Sequence, residues 1–125
     1  MPTPSTPVAS AHHSLEKGAL VDHVLIENLI SEVEIPVDGT LSRVLAKHGV
    51  VRLVVFAFDE NQELTEHTAG VPVIIQVLSG AVTISVGGED HLMSPASWLF
   101  LDADVPHSVT AHEPARLLLT MIRCV

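Results

Sequence analysis

Between Val33 and Ile122 apolar and polar residues alternate in short runs broken by Gly, Pro and Asp. That period of two predicts strands rather than helices. Val33-Glu34-Ile35 alternates up to Pro36, and Asp38-Gly39 reads as a turn. Thr40–Ala46 and Val51–Phe58 follow as two strands joined through Lys47-His48-Gly49, with Asp59–Gln62 as the next loop. Val71–Leu78 pairs through Ser79-Gly80 with Ala81–Val86, and Gly87-Gly88 suits a two-residue hairpin turn because both positions can take positive φ. Shorter runs continue at His91–Met93, Trp98–Leu101, His107–Ala111 and Ala115–Ile122. Before this region the pattern is mixed: a helical turn around Ile26–Ile30, or a strand joining the sheet, is expected. Residues 1–14, with three prolines and the His12-His13 pair, read as a flexible N-terminal arm. Residues 15–125 then form a single domain, and many short strands at even spacing point to an all-β barrel or sandwich.

Composition narrows the core. The chain of 125 residues is 47% hydrophobic but only 3% aromatic, with no Tyr, so Val, Leu, Ile and Ala must fill the interior. A net charge of −9 argues against nucleic acid or an anionic membrane as partner, since both need clustered Lys and Arg. Met1–His13 lacks the basic start and apolar core of a secretory leader. No run reaches the ~20 apolar residues of a membrane span, because Arg52 interrupts Val50–Phe58. A cytoplasmic protein is the expectation. One cysteine, Cys124, excludes an intrachain disulfide and reads as idle.

The chemistry concentrates in two segments. Glu63-Leu64-Thr65-Glu66-His67-Thr68-Ala69 is followed by Val71–Gly80, and Trp98–Pro106 ends at His107. In this arrangement the sequence resembles the cupin superfamily, in particular its small single-domain, RmlC-like members of unassigned activity. The first cupin motif, Gly-X5-His-X-His-X3-4-Glu-X6-Gly, falls on Asn61, His67, Ala69, Val73 and Gly80. The second, Gly-X5-Pro-X-Gly-X2-His-X3-Asn, falls on Ala96, Asp102, Asp104, His107 and Ala111. Spacing is kept throughout, while identity survives at His67, Gly80 and His107. The resemblance covers about Val33 to Arg123 and implies a double-stranded β-helix, or jelly-roll barrel, with a short helical or irregular N-terminal segment.

In a strand, residues two apart share a face. By that parity His67, Ala69, Val73, Ile75 and Val77 point one way, and His107, Val109 and Ala111 face the same interior. Two imidazoles are thus expected at the mouth of an apolar cavity, with Ala69, Val73, Ile75 and Trp98 among the ligand-binding residues. The resemblance implies a divalent metal, Fe, Mn, Ni or Zn, held by His67 and His107. Two imidazoles alone make a weak site. Glu63, on His67's parity, is the candidate third ligand. His112 lies off the parity of His107, and Asp102 and Asp104 read as turn residues. His23, His48, His91 and His112 are expected at the surface or in turns. Trp98 and Met93 are expected in the core or pocket wall, and Phe56, Phe58 and Phe100 in the core or a dimer face.

Two functional readings follow. In one, the barrel binds a small polar metabolite, a divalent metal, or both, as an oxygenase, isomerase or lyase. In the other, it is a non-enzymatic ligand-binding or sensor module with a degenerate metal site. A homodimer is expected in either case, because exposed sheet edges need covering, for instance by an exchanged N-terminal strand.

Overall fold

The computed structural model describes residues 22–123. The N-terminal arm, the His12-His13 pair and Cys124 lie outside the described residues. The rest forms nine strands: β1 (Thr40–His48), β2 (Val51–Phe58), β3 (Glu63–His67), β4 (Val73–Ser79), β5 (Val82–Val86), β6 (Glu89–Met93), β7 (Trp98–Leu101), β8 (His107–Ala111) and β9 (Ala115–Ile122). They build two antiparallel sheets, β1-β2-β9-β4-β7 and β3-β8-β5-β6. This is the expected jelly roll. The strand limits differ where Pro acts: Pro72 has no N–H for a ladder, and β4 begins one residue after it.

The N-terminal stretch departs from expectation in detail. Among the described residues its one helical turn is a 3-10 turn at Ile30–Glu32, not at Ile26–Ile30. Val33-Glu34-Ile35 alternates as a strand would but joins neither sheet. Instead it lies over the outer face of the larger sheet, where Val33 and Ile35 pack with Val55, Ala57, Leu45 and Leu78. Arg116 Nε donates to Val33 O at 2.9 Å and Arg43 donates to Glu32 O at 2.7 Å. These bonds satisfy backbone carbonyls that no ladder reaches. Asp59 anchors the same stretch: its carboxylate accepts the backbone N–H groups of Asp38 and Glu60 at 2.7 and 2.8 Å. Those two bonds hold its carboxyl below the usual carboxylate range.

The main core lies between the sheets. Phe58, Ile75, Ile84 and Leu117 are its largest fully enclosed side chains, joined by Val73, Val77, Val82, Met93, Leu101 and Val109. Cross-strand register explains the division of faces. Phe56 and Phe58 sit opposite Leu117 and Ala115 and stack with ring centroids 6.0 Å apart, whereas Val55 and Ala57 face outward under the N-terminal stretch.

Left-handed backbone marks the turns. Gly80, Asn61, Ala96 and Asp104 have φ of 79°, 68°, 79° and 66°. These are the four glycine positions of the two motifs, so the turn conformations persist where glycine itself has been replaced. At Gly80 there is also no room. A Cβ there would lie 2.2 Å from Pro114 O and 2.7 Å from Ala115 Cα. Both atoms are backbone, and neither can yield without moving the start of β9.

Gly80→Ala is therefore expected to destabilise the fold by about 3 kcal/mol or more, combining left-handed strain with the clash. Ala96→Gly should instead raise stability by about 0.5 kcal/mol, since relief of strain exceeds the added chain entropy. Urea unfolding of both variants checks the pair, and equal tolerance of alanine at Gly80 would contradict the packing described.

Candidate functional site

The β3–β4 loop and the β7–β8 loop leave the barrel at one end, tied by Asp104 N donating to Ala69 O at 2.7 Å. His67 ends β3 and His107 begins β8, so both stand at that end. The two strands pair with Glu63 opposite Thr110, Leu64 opposite Val109 and His67 opposite His107. Three steps on β3 are thus matched by two on β8. The extra residue is a β-bulge between Leu64 and His67. It turns both Leu64 and His67 to the inner face, where they meet Val109 and His107.

The bulge also corrects an expectation. Simple alternation put Glu63 on the face of His67, but with Leu64 turned inward Glu63 faces out beside Thr110 and is exposed. Among the described residues no group of three His, Cys, Asp or Glu side chains is placed to hold a metal ion.

The two imidazoles touch. Their ring centroids are 4.3 Å apart and the planes are tilted by 55°. His107 is buried, 4% exposed, the one polar side chain in the enclosed core among the described residues, while His67 is partly exposed. Each ring is anchored alike. His67 Nδ1 donates to Thr65 O at 2.9 Å, and His107 Nδ1 donates to Val105 O at 2.9 Å. A carbonyl only accepts, so both Nδ1 atoms carry hydrogen and, in the neutral rings, both Nε2 atoms hold a lone pair. Neither Nε2 has a hydrogen-bond partner among the described residues. Neither is sealed from solvent, because Arg52 Nε is the one inaccessible, unpartnered side-chain atom among the described residues. The site therefore offers two adjacent hydrogen-bond acceptors with fixed orientation.

Its surroundings are apolar. Val86 lies opposite His107 on β5, and Leu64, Ala69 and Val105 pack against the core beside them. Val73, Ile75 and Ala111, which parity assigned to the cavity lining, are buried in that core. Of these, Val73 stands at the Glu position of the first cupin motif and contributes an apolar side chain to the core instead. The donor set does not fit a tightly held metal: two imidazoles remain where three or four protein ligands are usual.

Trp98 needs a larger correction. It is 59% exposed and lies opposite Gln76, on the outer face of edge strand β7 with Phe100. Leu99 and Leu101 are the inward residues of that strand. Met93 is in the core, as expected.

Two inner-face residues escape a reading by types alone. Through the β5–β6 hairpin Val86 faces Glu89 and Ile84 faces His91, so Glu89 extends the row His67–His107–Val86 across the smaller sheet. Its carboxylate lies 3.2 Å from His91 Nε2. The signal was present in Gly87-Gly88, because a two-residue turn fixes the register of its strands. His23, His48 and His112 are exposed, and His112 Nε2 meets Thr83 Oγ1 at 2.6 Å.

A groove of about 860 Å³ runs along the same end of the barrel, lined by Val50, Gly70, Val71, Pro72, Asp102 and Arg123 among others. Neither His67 nor His107 lines it, and its walls carry little convergent chemistry. The anchored acceptors make the better candidate.

The AraC-like ligand-binding domain model matches residues 51–125. The chain belongs to that family. It is a small cupin, and the match spans β2 to β9. No curated protein matches it significantly. Among solved structures, a conserved Streptococcus pyogenes protein of unknown function is 27% identical with a TM-score of 0.73, over 84% of this chain and 92% of that one. A cupin superfamily protein from Desulfitobacterium hafniense is 19% identical at TM-score 0.73, over 84% and 94%. The cupin domain of an XRE-family transcriptional regulator from Enterobacter cloacae is 18% identical at TM-score 0.59, over 69% and 98%. At such identities the last two establish the fold alone.

The anchoring predicts a spectroscopic signature. In neutral protein both rings should show the Nδ1–H tautomer by ¹⁵N–¹H correlation of the imidazoles. A predominant Nε2–H form at either residue would refute the acceptor pair.

Proposed function

We propose that this cupin is a ligand-binding module whose His67 and His107 Nε2 atoms accept hydrogen bonds from a small, hydroxyl-bearing molecule. The single observation that carries the reading is the pair of touching imidazoles, both held by Nδ1 to backbone carbonyls. Two fixed acceptors over an apolar floor suit a vicinal hydroxyl pair or a hydroxyl and a water. They suit a metal poorly, because Ala69 and Val73 occupy the other ligand positions. Binding rather than turnover also fits the surroundings: Glu89, the carboxylate in cross-strand register with the pair, is separated from His107 by Val86. A regulator's cupin domain among the structural neighbours supports a sensing role. A cytoplasmic location and a homodimer belong to the same reading. Trp98 and Phe100, exposed together on β7, supply an apolar patch for the dimer contact.

Thermal-shift screening of small polyols, sugars and hydroxy acids tests the proposal, alongside elemental analysis of protein grown in metal-replete medium. A ligand at about 100 Kd should raise the melting temperature by about 5 °C or more in the wild type and not in His67→Ala/His107→Ala. Metal should stay far below one per chain. About one Fe, Mn, Ni or Zn per chain, lost in the double variant, would overturn the reading in favour of a metal-dependent enzyme. A light-scattering mass of one chain across micromolar concentrations would remove the dimer.

A further inference from the structure

Cations are scarce in this chain: 6 Lys and Arg against 15 Asp and Glu. Arg43 and Arg116 hold the N-terminal stretch through Glu32 and Val33. Three of the remaining four, Lys47, Arg52 and Arg123, line one recess of about 260 Å³ with His48, Gly49 and Val51. Chain pairing brings them there. Lys47 lies directly opposite Arg52 across the β1–β2 hairpin, and Arg123 N donates to Val50 O at its tip.

Like charges placed directly opposite each other on a sheet repel. In an acidic protein a carboxylate would ordinarily bridge them. Among the described residues none does: the ion pairs are His23–Asp22, Arg43–Glu32 and His91–Glu89. Arg52 is half-buried, and its Nε is inaccessible to solvent without a hydrogen-bond partner among the described residues. An unmet guanidinium donor beside a Lys without a carboxylate partner among the described residues gathers positive charge and hydrogen-bond donors at one recess.

We propose that Lys47, Arg52 and Arg123 form an oxyanion site for the phosphate or carboxylate group of a small molecule. Arg52 supplies a planar fork of donors, and Lys47 and Arg123 supply charge around it. The site uses none of the atoms of the His pair and does not rest on the reading given to that pair. Its neighbour is the larger groove, which shares Gly49 and Arg123 with it and leaves space for the uncharged body of the molecule.

Titration of the full chain with inorganic phosphate and, separately, citrate at low ionic strength tests the assignment, since salt screens exposed charge. The readout is backbone amide shifts in ¹H–¹⁵N spectra. Saturable shifts at residues 47–52 and 123 are expected with at least one probe. Phosphate alone would identify a phosphoryl ligand, and citrate alone a carboxylate one. Arg52→Gln should weaken binding by about tenfold or more, the loss expected for hydrogen bonds to a charged group. His67→Ala/His107→Ala should leave it intact, as should Arg43→Gln. If Arg52→Gln does not fold, the exposed Lys47→Gln gives the same test through lost charge. Absence of saturable shifts, or equal weakening by Arg43→Gln, would overturn the proposal. Binding that arises only after removal of Cys124 and Val125 would place the chain's own end in the recess and overturn it as well.

Discussion

Two pleated sheets, each apolar on one face, can exclude water from those faces only by turning them toward each other. Everything else here is subordinate to that burial. With three Phe, one Trp and no Tyr, the interior is packed from branched aliphatic side chains that sit well on a pleated surface. Phe58, Ile75, Ile84 and Leu117 come from four different strands and two sheets. Their mutual contact fixes the inward face of each strand, and hence which polar residues are carried inward with them. His107 is buried because it shares a face with Val109 and Ala111, residues the core cannot release.

The same constraint acts at the motif positions. At the ligand positions of a metal-binding cupin, Ala69 and Val73 add to the core, while His67 and His107 remain polar. A buried imidazole without a hydrogen bond would be costly. Each ring has one, to the carbonyl two residues earlier, which leaves the opposite nitrogen free for something else. The two rings are in contact, and among the described residues the Nε2 of each has no hydrogen-bond partner.

The same end of the barrel gathers a second kind of polarity. The β1–β2 hairpin and the end of β9 bring Lys47, Arg52 and Arg123 together, against the chain's acidic balance. Hydrogen-bond acceptors lie there on one sheet and cations on the other, and the loops and strand termini that carry them rest on sheets already packed against a common core.

By itself the sequence determined the architecture. Alternation from Thr40 onward, Gly-rich turns and motif spacing located the strands, and left-handed backbone at Asn61, Ala96 and Asp104 shows that the spacing was read in register. It also determined that His67 and His107 belong together. Tertiary structure decided which side chains accompany them. A single extra residue between Leu64 and His67 reversed the parity of Glu63, and local alternation has no means of signalling a bulge. Pairing of β7 with β4 set Leu99 and Leu101 against the core and so turned Trp98 outward, although its type suggested an interior place. Register across the Gly87-Gly88 turn carried Glu89 and His91 to the inner face. The physical reason is the same in each case: alternation is a property of one strand, whereas facing is a property of pairs and layers, set only when the sheets close on their common core.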